Sequence, residues 1–320
     1  MIAKLSQLTC GALALIALMV PASLPADTWE LHVGAQSGDQ AHQAVAFLPN
    51  EIWIHAGDNI TWTFDTDEVH TVSFLKPGQV RPTSLVGCPG ATPDGSLETG
   101  TTCVNSGRLV KGTYTVIFPV TGNFKLVCLV HTNMTATVHV LDLSAALPHD
   151  QAFYDHQAAQ QAAGLLSDAL ASAHVHSNDD SVVAGAGKIL ATGGGSETAS
   201  VMRFIDATKV IRVGETVEWT NSDAVTPHTI TIGPEPADLT LPSANVTLDA
   251  DGARHATISS PSDNVHSGFI APTPQDRIGL AQAPLGVPRF RITFTQSGTF
   301  DYKCSLHDEL GMVGRIIVLP

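Results

Sequence analysis

Charged residues are scarce in this chain of 320 residues, where they make up only 14% of the sequence. That fraction is well below the soluble average of about 25%, and it argues against a coiled coil or a disordered acidic tail. The 27 glycines and 19 prolines follow no fixed period, which argues against a collagen-like chain. Basic residues are especially few, with 16 Lys and Arg against 30 Asp and Glu. Because phosphate binding needs clustered Lys and Arg, we expect no nucleic-acid partner and no binding to anionic membrane surfaces.

Long hydrophobic runs are also missing, except near the amino terminus. There Lys4 precedes an apolar segment that ends at Val20, and small residues follow as far as Ala26. The segment is shorter than the roughly 20 residues of a spanning helix, and Pro21 would end such a helix. We therefore expect residues 1–26 to be a cleaved signal peptide, with an uncleaved anchor helix as the alternative. The mature chain would be exported, periplasmic or secreted, with no stable membrane span after cleavage.

The rest of the chain contains one sequence pattern twice. Residues 51–62 and 209–219 are both an alternating strand, a Gly-containing turn and a second alternating strand that ends in Trp. Each copy continues with a histidine in a β-rich run, then with two strands around a Gly turn that lead to a cysteine. A short loop and one more alternating strand close each copy. Short β-branched strands separated by Gly and Pro turns predict a β-sandwich, here two in tandem.

A helix is predicted between the two copies. Residues 150–170 are rich in Ala and Gln, and Pro148 stands near the start, where proline is favoured. We therefore predict an all-β fold with one domain at 27–143, a helical linker at 144–181 and a second domain at 182–320. The length is sufficient for each domain to bury its own core.

The two closing loops contain the residues that indicate chemistry. The first reads Cys-x2-His-x2-Met and the second Cys-x2-His-x4-Met, and each copy has a further histidine upstream. One thiolate, two imidazoles and a thioether are the ligands of a type 1 copper site. The predicted ligands are His70, Cys128, His131 and Met134 in the first copy and His228, Cys304, His307 and Met312 in the second.

Two other kinds of site use cysteine and histidine. Structural zinc takes combinations of Cys and His, but methionine is not an ordinary zinc ligand. A nucleophilic Cys–His pair does not predict a methionine after each histidine, nor the duplication of the motif. Copper is therefore the favoured interpretation of both loops.

These motifs resemble those of the cupredoxins, the plastocyanin and azurin group of blue copper proteins, over essentially all of both halves. The first loop is similar to that of amicyanin and the second to that of plastocyanin. The resemblance implies a Greek-key β-sandwich in each half, one copper per half, and electron transfer between redox protein partners. It also implies that the loop residues His131 and His307 lie near the surface, within an apolar patch where partners dock.

The five cysteines divide into three groups. Cys10 would leave with the signal peptide, and Cys128 and Cys304 are predicted ligands. Cys88 and Cys103 lie in a Gly/Pro/Thr-rich insertion, and in an oxidising compartment we expect them to form a disulfide. A second metal site or a redox-active pair of thiols is the alternative interpretation.

An electron carrier is favoured over two other functions. A two-domain copper oxidase or nitrite reductase joins its type 1 copper to a catalytic copper through a histidine adjacent to the cysteine. Here the residues that precede the cysteines are Val127 and Lys303. A copper-binding or delivery protein is the other alternative, although storage sites favour exchangeable clusters over one Cys, two His and one Met. We therefore expect no catalytic residues.

The remaining candidates are interpreted as ordinary solvated positions. We expect His174 and His176 to lie at a solvated helix end rather than in a multicopper cluster. The surface histidines are predicted to be His149, His156, His255 and His266, with accessory copper sites there as an alternative. The acidic run 65–68 is predicted to be a solvated loop, with an acidic docking patch as the alternative.

Overall fold

The computed structural model describes residues 26–82, 88, 90–174, 180–223, 225–271 and 287–320. The predicted signal peptide lies outside these residues except for Ala26, so that Cys10 is not described, and His176 also falls outside them. No helix in these ranges is long and apolar enough to cross a membrane.

The first half of the chain is a β-sandwich. Its strands are β1 (Thr28–Gln36), β2 (His42–Leu48), β3 (Glu51–His55), β4 (Asn59–Phe64), β5 (Ser73–Phe74), β6 (Ser96–Leu97), β7 (Val104–Asn105), β8 (Gly112–Ile117), β9 (Gly122–Val127) and β10 (Thr135–Leu141). One sheet has the order β2-β1-β4-β8-β6 and the other β3-β10-β9-β5-β7. The turn between β3 and β4 therefore crosses from one sheet to the other. Alternate residues of β4 point inward, and Trp62 packs against Phe74 with ring centroids 5.9 Å apart.

The second half repeats this arrangement. Its strands are β11 (Ser181–Ala191), β12 (Ser196–Ile205), β13 (Thr208–Arg212), β14 (Thr216–Ser222), β15 (Thr231–Ile232), β16 (Thr247–Leu248), β17 (Arg254–Ile258), β18 (Val265–His266), β19 (Arg289–Phe294), β20 (Gly298–Lys303) and β21 (Val313–Leu319). One sheet has the order β12-β11-β14-β19-β17-β16 and the other β13-β21-β20-β15-β18. Trp219 takes the place of Trp62 and packs edge-on against Tyr302, with ring centroids 5.1 Å apart. The predicted duplication is thus present in the strand order as well as in the sequence.

The two halves share one sheet. Equivalent edge strands β2 and β12 pair antiparallel, with Val45 opposite Thr198 and Ala44 opposite Ala199, and this pairing makes an 11-stranded sheet. Each edge strand thereby satisfies the backbone groups of the other, which would otherwise be open for pairing. The pairing also fixes the position of one half relative to the other.

The helix between the halves packs against this shared sheet. It is α1 (Gln151–Ser172), and the side chain of its N-cap residue Asp150 accepts a hydrogen bond from the Phe153 backbone. Its buried face includes Leu165 and Ala169, which pack with small residues of β2, β11 and β12. The predicted helix and the all-β class with a helical linker are confirmed. The division at residues 143 and 182 stays a prediction, although β10 ends at Leu141 and β11 begins at Ser181.

Candidate metal centres

The backbone fixes the upstream histidine of each half in the same way. His70 exchanges two backbone hydrogen bonds with Leu109, both of 2.9 Å. His228 does the same with Ile270, at 3.0 and 2.9 Å. Each histidine is therefore held at an isolated β-bridge, with its ring buried inside the sandwich.

The cysteine and the methionine of each closing loop are joined through the backbone. Cys128 directly follows β9 and Met134 directly precedes β10, and the Cys128 N–H donates to the Met134 carbonyl at 3.0 Å. In the second half the Cys304 N–H donates to the Met312 carbonyl, also at 3.0 Å. All four side chains are completely buried. The backbone thus holds each loop closed although the two loops differ in length.

The fold gathers the predicted cysteine and histidines of each half into one group. In both groups one possible ligand atom from each residue lies within 4.8 Å of the others. In the second group Cys304 Sγ lies 3.3 Å from His307 Nδ1 and 3.9 Å from His228 Nδ1. In the first, Cys128 Sγ lies 3.8 Å from His131 Nδ1. The groups are His70, Cys128 and His131 in the first half and His228, Cys304 and His307 in the second.

The donor atoms of these groups suit a soft transition metal. His70 Nδ1 is buried and has no hydrogen-bond partner among the described residues. In the second group the Nδ1 atoms of His228 and His307 face each other at 3.2 Å, next to the Cys304 sulfur. Imidazole nitrogens and a thiolate that converge on one point are the donors that copper and related metals prefer.

A threonine after each upstream histidine orders the cysteine. The Thr71 N–H donates to Cys128 Sγ at 3.4 Å, and the Thr71 hydroxyl accepts from the Leu129 N–H at 2.7 Å. In the second half the Thr229 N–H donates to Cys304 Sγ at 3.3 Å, and its hydroxyl accepts from the Ser305 N–H at 2.8 Å. The repeated His-Thr pair is therefore part of both sites. Such hydrogen bonds orient a ligand and influence the metal that it binds.

Charge at the first group favours the thiolate. Burial would raise the pKa of the Cys128 thiol, but hydrogen bonds and charge from His131 and His70 lower it well below its ordinary value. Because the thiolate is the form that binds metals, the site is prepared for a metal ligand.

A glycine that the sequence motifs did not predict lies behind each upstream histidine. Gly34 in β1 and Gly185 in β11 both lie at β-bulges, with φ of +74° and +76°. A Cβ on Gly34 would stand 2.9 Å from His70 Nε2. Both glycines stand in the middle of a similar triplet, before an alanine. These triplets, 33–35 and 184–186, are the sequence signal that predicts the two glycines.

Glu68, which the sequence motifs did not predict as a site residue, contacts both sites. Glu68 Oε1 lies 3.4 Å from His131 Nε2, and Glu68 Oε2 lies 3.4 Å from His307 Nε2. Burial would raise the pKa of Glu68, but the charge of His307 and the contact with His131 lower it to about 2. For His131 burial would lower the pKa, while Cys128 and Glu68 raise it to about 10.

Two expectations about these residues are therefore wrong. The acidic run 65–68 is not entirely solvated, because Glu68 is only 4% exposed. The inward alternation of β4 continues beyond its end through Thr66 and Glu68 to His70, and this alternation is the signal that was overlooked. His131 and His307 are not exposed at the surface either, with exposures of 0% and 3%, because both loops lie where the two halves meet.

The other predicted residues have mixed outcomes. Cys88 and Cys103 form the expected disulfide, with Cα atoms 5.6 Å apart. His156 and His174 are exposed, but His266 is buried, which contradicts its predicted surface position. Because β18 pairs with β15, the His266 ring lies inside, where its Nδ1 pairs with the Thr231 hydroxyl at 2.8 Å.

Comparisons with known proteins give partial similarity. No protein-family model matches the chain. A Cu(I) mutant of amicyanin is 18% identical with a TM-score of 0.21, over 37% of this chain and 74% of that chain. Another Cu(I) mutant of amicyanin is 18% identical with a TM-score of 0.23, over 46% of this chain and 89% of that chain. The oxidised plastocyanin from Dryopteris crassirhizoma is 16% identical with a TM-score of 0.23, over 43% of this chain and 99% of that chain. The chemistry of the two sites follows from the residues of this chain.

Proposed function

We propose that this protein binds two type 1 copper ions and transfers electrons between redox partners. The observation that supports it is the pair of buried groups, each made of one cysteine sulfur and two histidine nitrogens. The ligands would be His70, Cys128, His131 and Met134 in the first site and His228, Cys304, His307 and Met312 in the second. Bound copper would supply a one-electron couple between Cu(I) and Cu(II).

The protein's own contribution is a site that is assembled before the metal arrives. Each cysteine is held by its neighbouring threonine and by the loop methionine, and each upstream histidine is held by a β-bridge. A buried and preorganised site suits a carrier, because little rearrangement then accompanies the gain or loss of an electron. It is less suited to storage or delivery, in which the metal must leave readily.

We also propose that the chain is exported and that its partners are redox proteins. The disulfide between Cys88 and Cys103 supports export, because disulfides persist mainly in oxidising compartments. The excess of acidic over basic residues in the whole chain favours a protein partner over nucleic acid.

The deciding experiment is copper counting with visible and EPR spectroscopy on the purified protein. We expect two coppers per chain and an intense thiolate-to-copper charge-transfer band. Cys128→Ser should remove one site and Cys304→Ser the other, whereas the double variant Cys88→Ser/Cys103→Ser should retain both. An unchanged spectrum in either single variant contradicts the assignment of that site.

The same preparation tests the enzyme alternative. An electron carrier should reduce neither oxygen nor nitrite at a substantial rate, and its EPR spectrum should contain type 1 signals alone. A coupled type 2 or trinuclear signal, together with turnover of either substrate, would establish a copper enzyme instead.

A further inference from the structure

One carboxylate lies between the two candidate sites. The two oxygens of Glu68 are divided between the two halves, with one oxygen 3.4 Å from His131 Nε2 and the other 3.4 Å from His307 Nε2. All three side chains are almost completely buried. The second half has no matching acid, because Thr226 stands two residues before His228, where Glu68 stands two residues before His70. The contact is therefore one shared link rather than a pair of symmetric ones.

The chemistry of the histidines explains why a carboxylate is placed there. In each loop histidine Nδ1 faces the cysteine sulfur, at 3.8 Å for His131 and 3.3 Å for His307. A neutral imidazole that offers its Nδ1 lone pair to a metal carries its proton on Nε2. In the metal-free structure each Nε2 lies 3.4 Å from one Glu68 oxygen as an ion-pair contact, and His131 Nε2 has no hydrogen-bond partner among the described residues. With Nδ1 on a metal, each Nε2–H would have one oxygen of Glu68 within reach. Metal-ligating histidines commonly donate this second N–H to a carboxylate, and the partner fixes the tautomer and the ring orientation.

We propose that Glu68 is a positioning residue that joins the two loop histidines and couples the two sites. This proposal rests on the proposed function, because it takes both groups to be copper sites. The continuous link runs from Cys128 through His131, Glu68 and His307 to Cys304. It serves the exchange of one electron, in which one site is oxidised as the other is reduced. No covalent bond forms or breaks, and each Nε2 keeps its proton.

The burial of the loop histidines supports this role. His131 and His307 are buried at the junction of the halves, and their Nε2 edges face Glu68. The junction is fixed by the shared sheet and by α1, so the link does not depend on a chance approach of two loosely tethered domains.

Glu68→Gln tests the link, and Asp67→Asn is the matched control. Asp67 is the neighbouring acid, but it contacts Lys111 and Gln40 and neither loop histidine. Glutamine keeps the shape of Glu68 but presents an NH2 group to one of the two N–H donors. We expect both reduction potentials to rise, because the lost negative charge had favoured the more positive oxidised state. After one-electron photoreduction, electron exchange between the sites should slow by roughly tenfold, which matches the smaller of the losses in metal affinity or activity that follow removal of such partners.

A merely structural ion pair would give a different result. It would lower the unfolding stability of Glu68→Gln and shift the potentials through the lost charge, but it would leave the exchange rate as in the wild type. That result, with two coppers still bound, overturns this proposal alone. A wild type that binds no copper overturns the proposed function, and this proposal with it.

NMR of the wild-type Cu(I) protein provides a test that does not require the variant to fold. With 15N-labelled histidine we expect the Nε2–H signals of His131 and His307 to be among those that exchange slowly with solvent. Rapid exchange of both protons would contradict the link. Glu68→Asp is a second variant that keeps the charge, and its shorter side chain should reach only one Nε2 and lose the protection of the other.

Discussion

Gly185 lies directly behind the imidazole of His228, and a Cβ on Gly185 would stand only 2.1 Å from Nε2 of that histidine. No real side-chain atom fits at that distance, so the bulge in β11 leaves room for one edge of the ring. The opposite edge carries Nδ1, which faces Cys304 and His307. Gly185 therefore determines how closely the His228 ring can lie against strand β11.

Gly185→Ala should remove copper from the second site and leave the first site filled. Its methyl group displaces His228, while His70 lies in the other sandwich. The matched control is Gly252→Ala, because Gly252 also has a positive φ, +83°, but has open space where the Cβ would be. Both substitutions cost about 1 kcal/mol through the left-handed backbone, and only the first displaces a ligand. Copper counting should give one ion per chain for Gly185→Ala and two for Gly252→Ala, and equal counts would contradict this role.

The sequence was sufficient to predict the strands and the closing loops, which depend on residues close together in the chain. Alternation predicted strands such as β4 and β14, and the spacing after Cys128 and Cys304 predicted the loop histidine that the fold places beside each cysteine. Those features are local, because a short loop after a strand keeps its residues together. The duplicated pattern likewise predicted two sandwiches.

Contacts between the halves could not be predicted in this way. The burial of His131 and His307 and the position of Glu68 depend on the pairing of β2 with β12, which brings together residues far apart in sequence. The resemblance to proteins with a single such sandwich favoured exposed loop histidines, because those proteins have no second half to cover them. His266 was missed for a related reason, since its burial depends on the pairing of two short strands.

Leu165→Ala tests whether α1 stabilises the junction of the halves. Leu165 is 2% exposed and packs with the small residues of the shared sheet, whereas Leu170 on the same helix is 54% exposed. Loss of a buried leucine leaves a cavity and should lower the free energy of unfolding by about 2–5 kcal/mol. Leu170→Ala should change it by no more than about 0.5 kcal/mol, because alanine also favours the helix. Urea denaturation of both variants measures the difference, and equal losses would show that the packing of α1 contributes little.

Replacement of the disulfide should weaken the fold without disturbing the sites. Cys88 and Cys103 close a loop of 15 residues that leads directly into β7, which pairs with β5. In the chain-entropy model such a cross-link contributes about 3 kcal/mol, so Cys88→Ser/Cys103→Ser should lower the unfolding free energy by about that amount. A thiol reductant should weaken the metal-free wild type and leave the double variant unchanged. If the reductant affects both equally, the loss has another cause.

Glu197 should make stability depend on pH in the direction opposite to the acids whose pKa is lowered. It is 5% exposed, and its Oε2 has no hydrogen-bond partner among the described residues. Burial raises the pKa of Glu197 from its ordinary 4.5 to about 6. The folded state therefore binds this proton more tightly than the unfolded state, so its contribution to stability falls as pH rises from about 4.5 to about 6. Lowered pKa values at acids such as Asp251 act in the other direction, so the effect must be measured as a difference between variants.

In the metal-free protein, Glu197→Gln should gain stability relative to the wild type across that interval and keep the gain above it. Glu309→Gln, at an exposed acid, should show no such gain. A gain from Glu197→Gln that is the same at every pH would mean that ionisation of the buried carboxylate is not its cause.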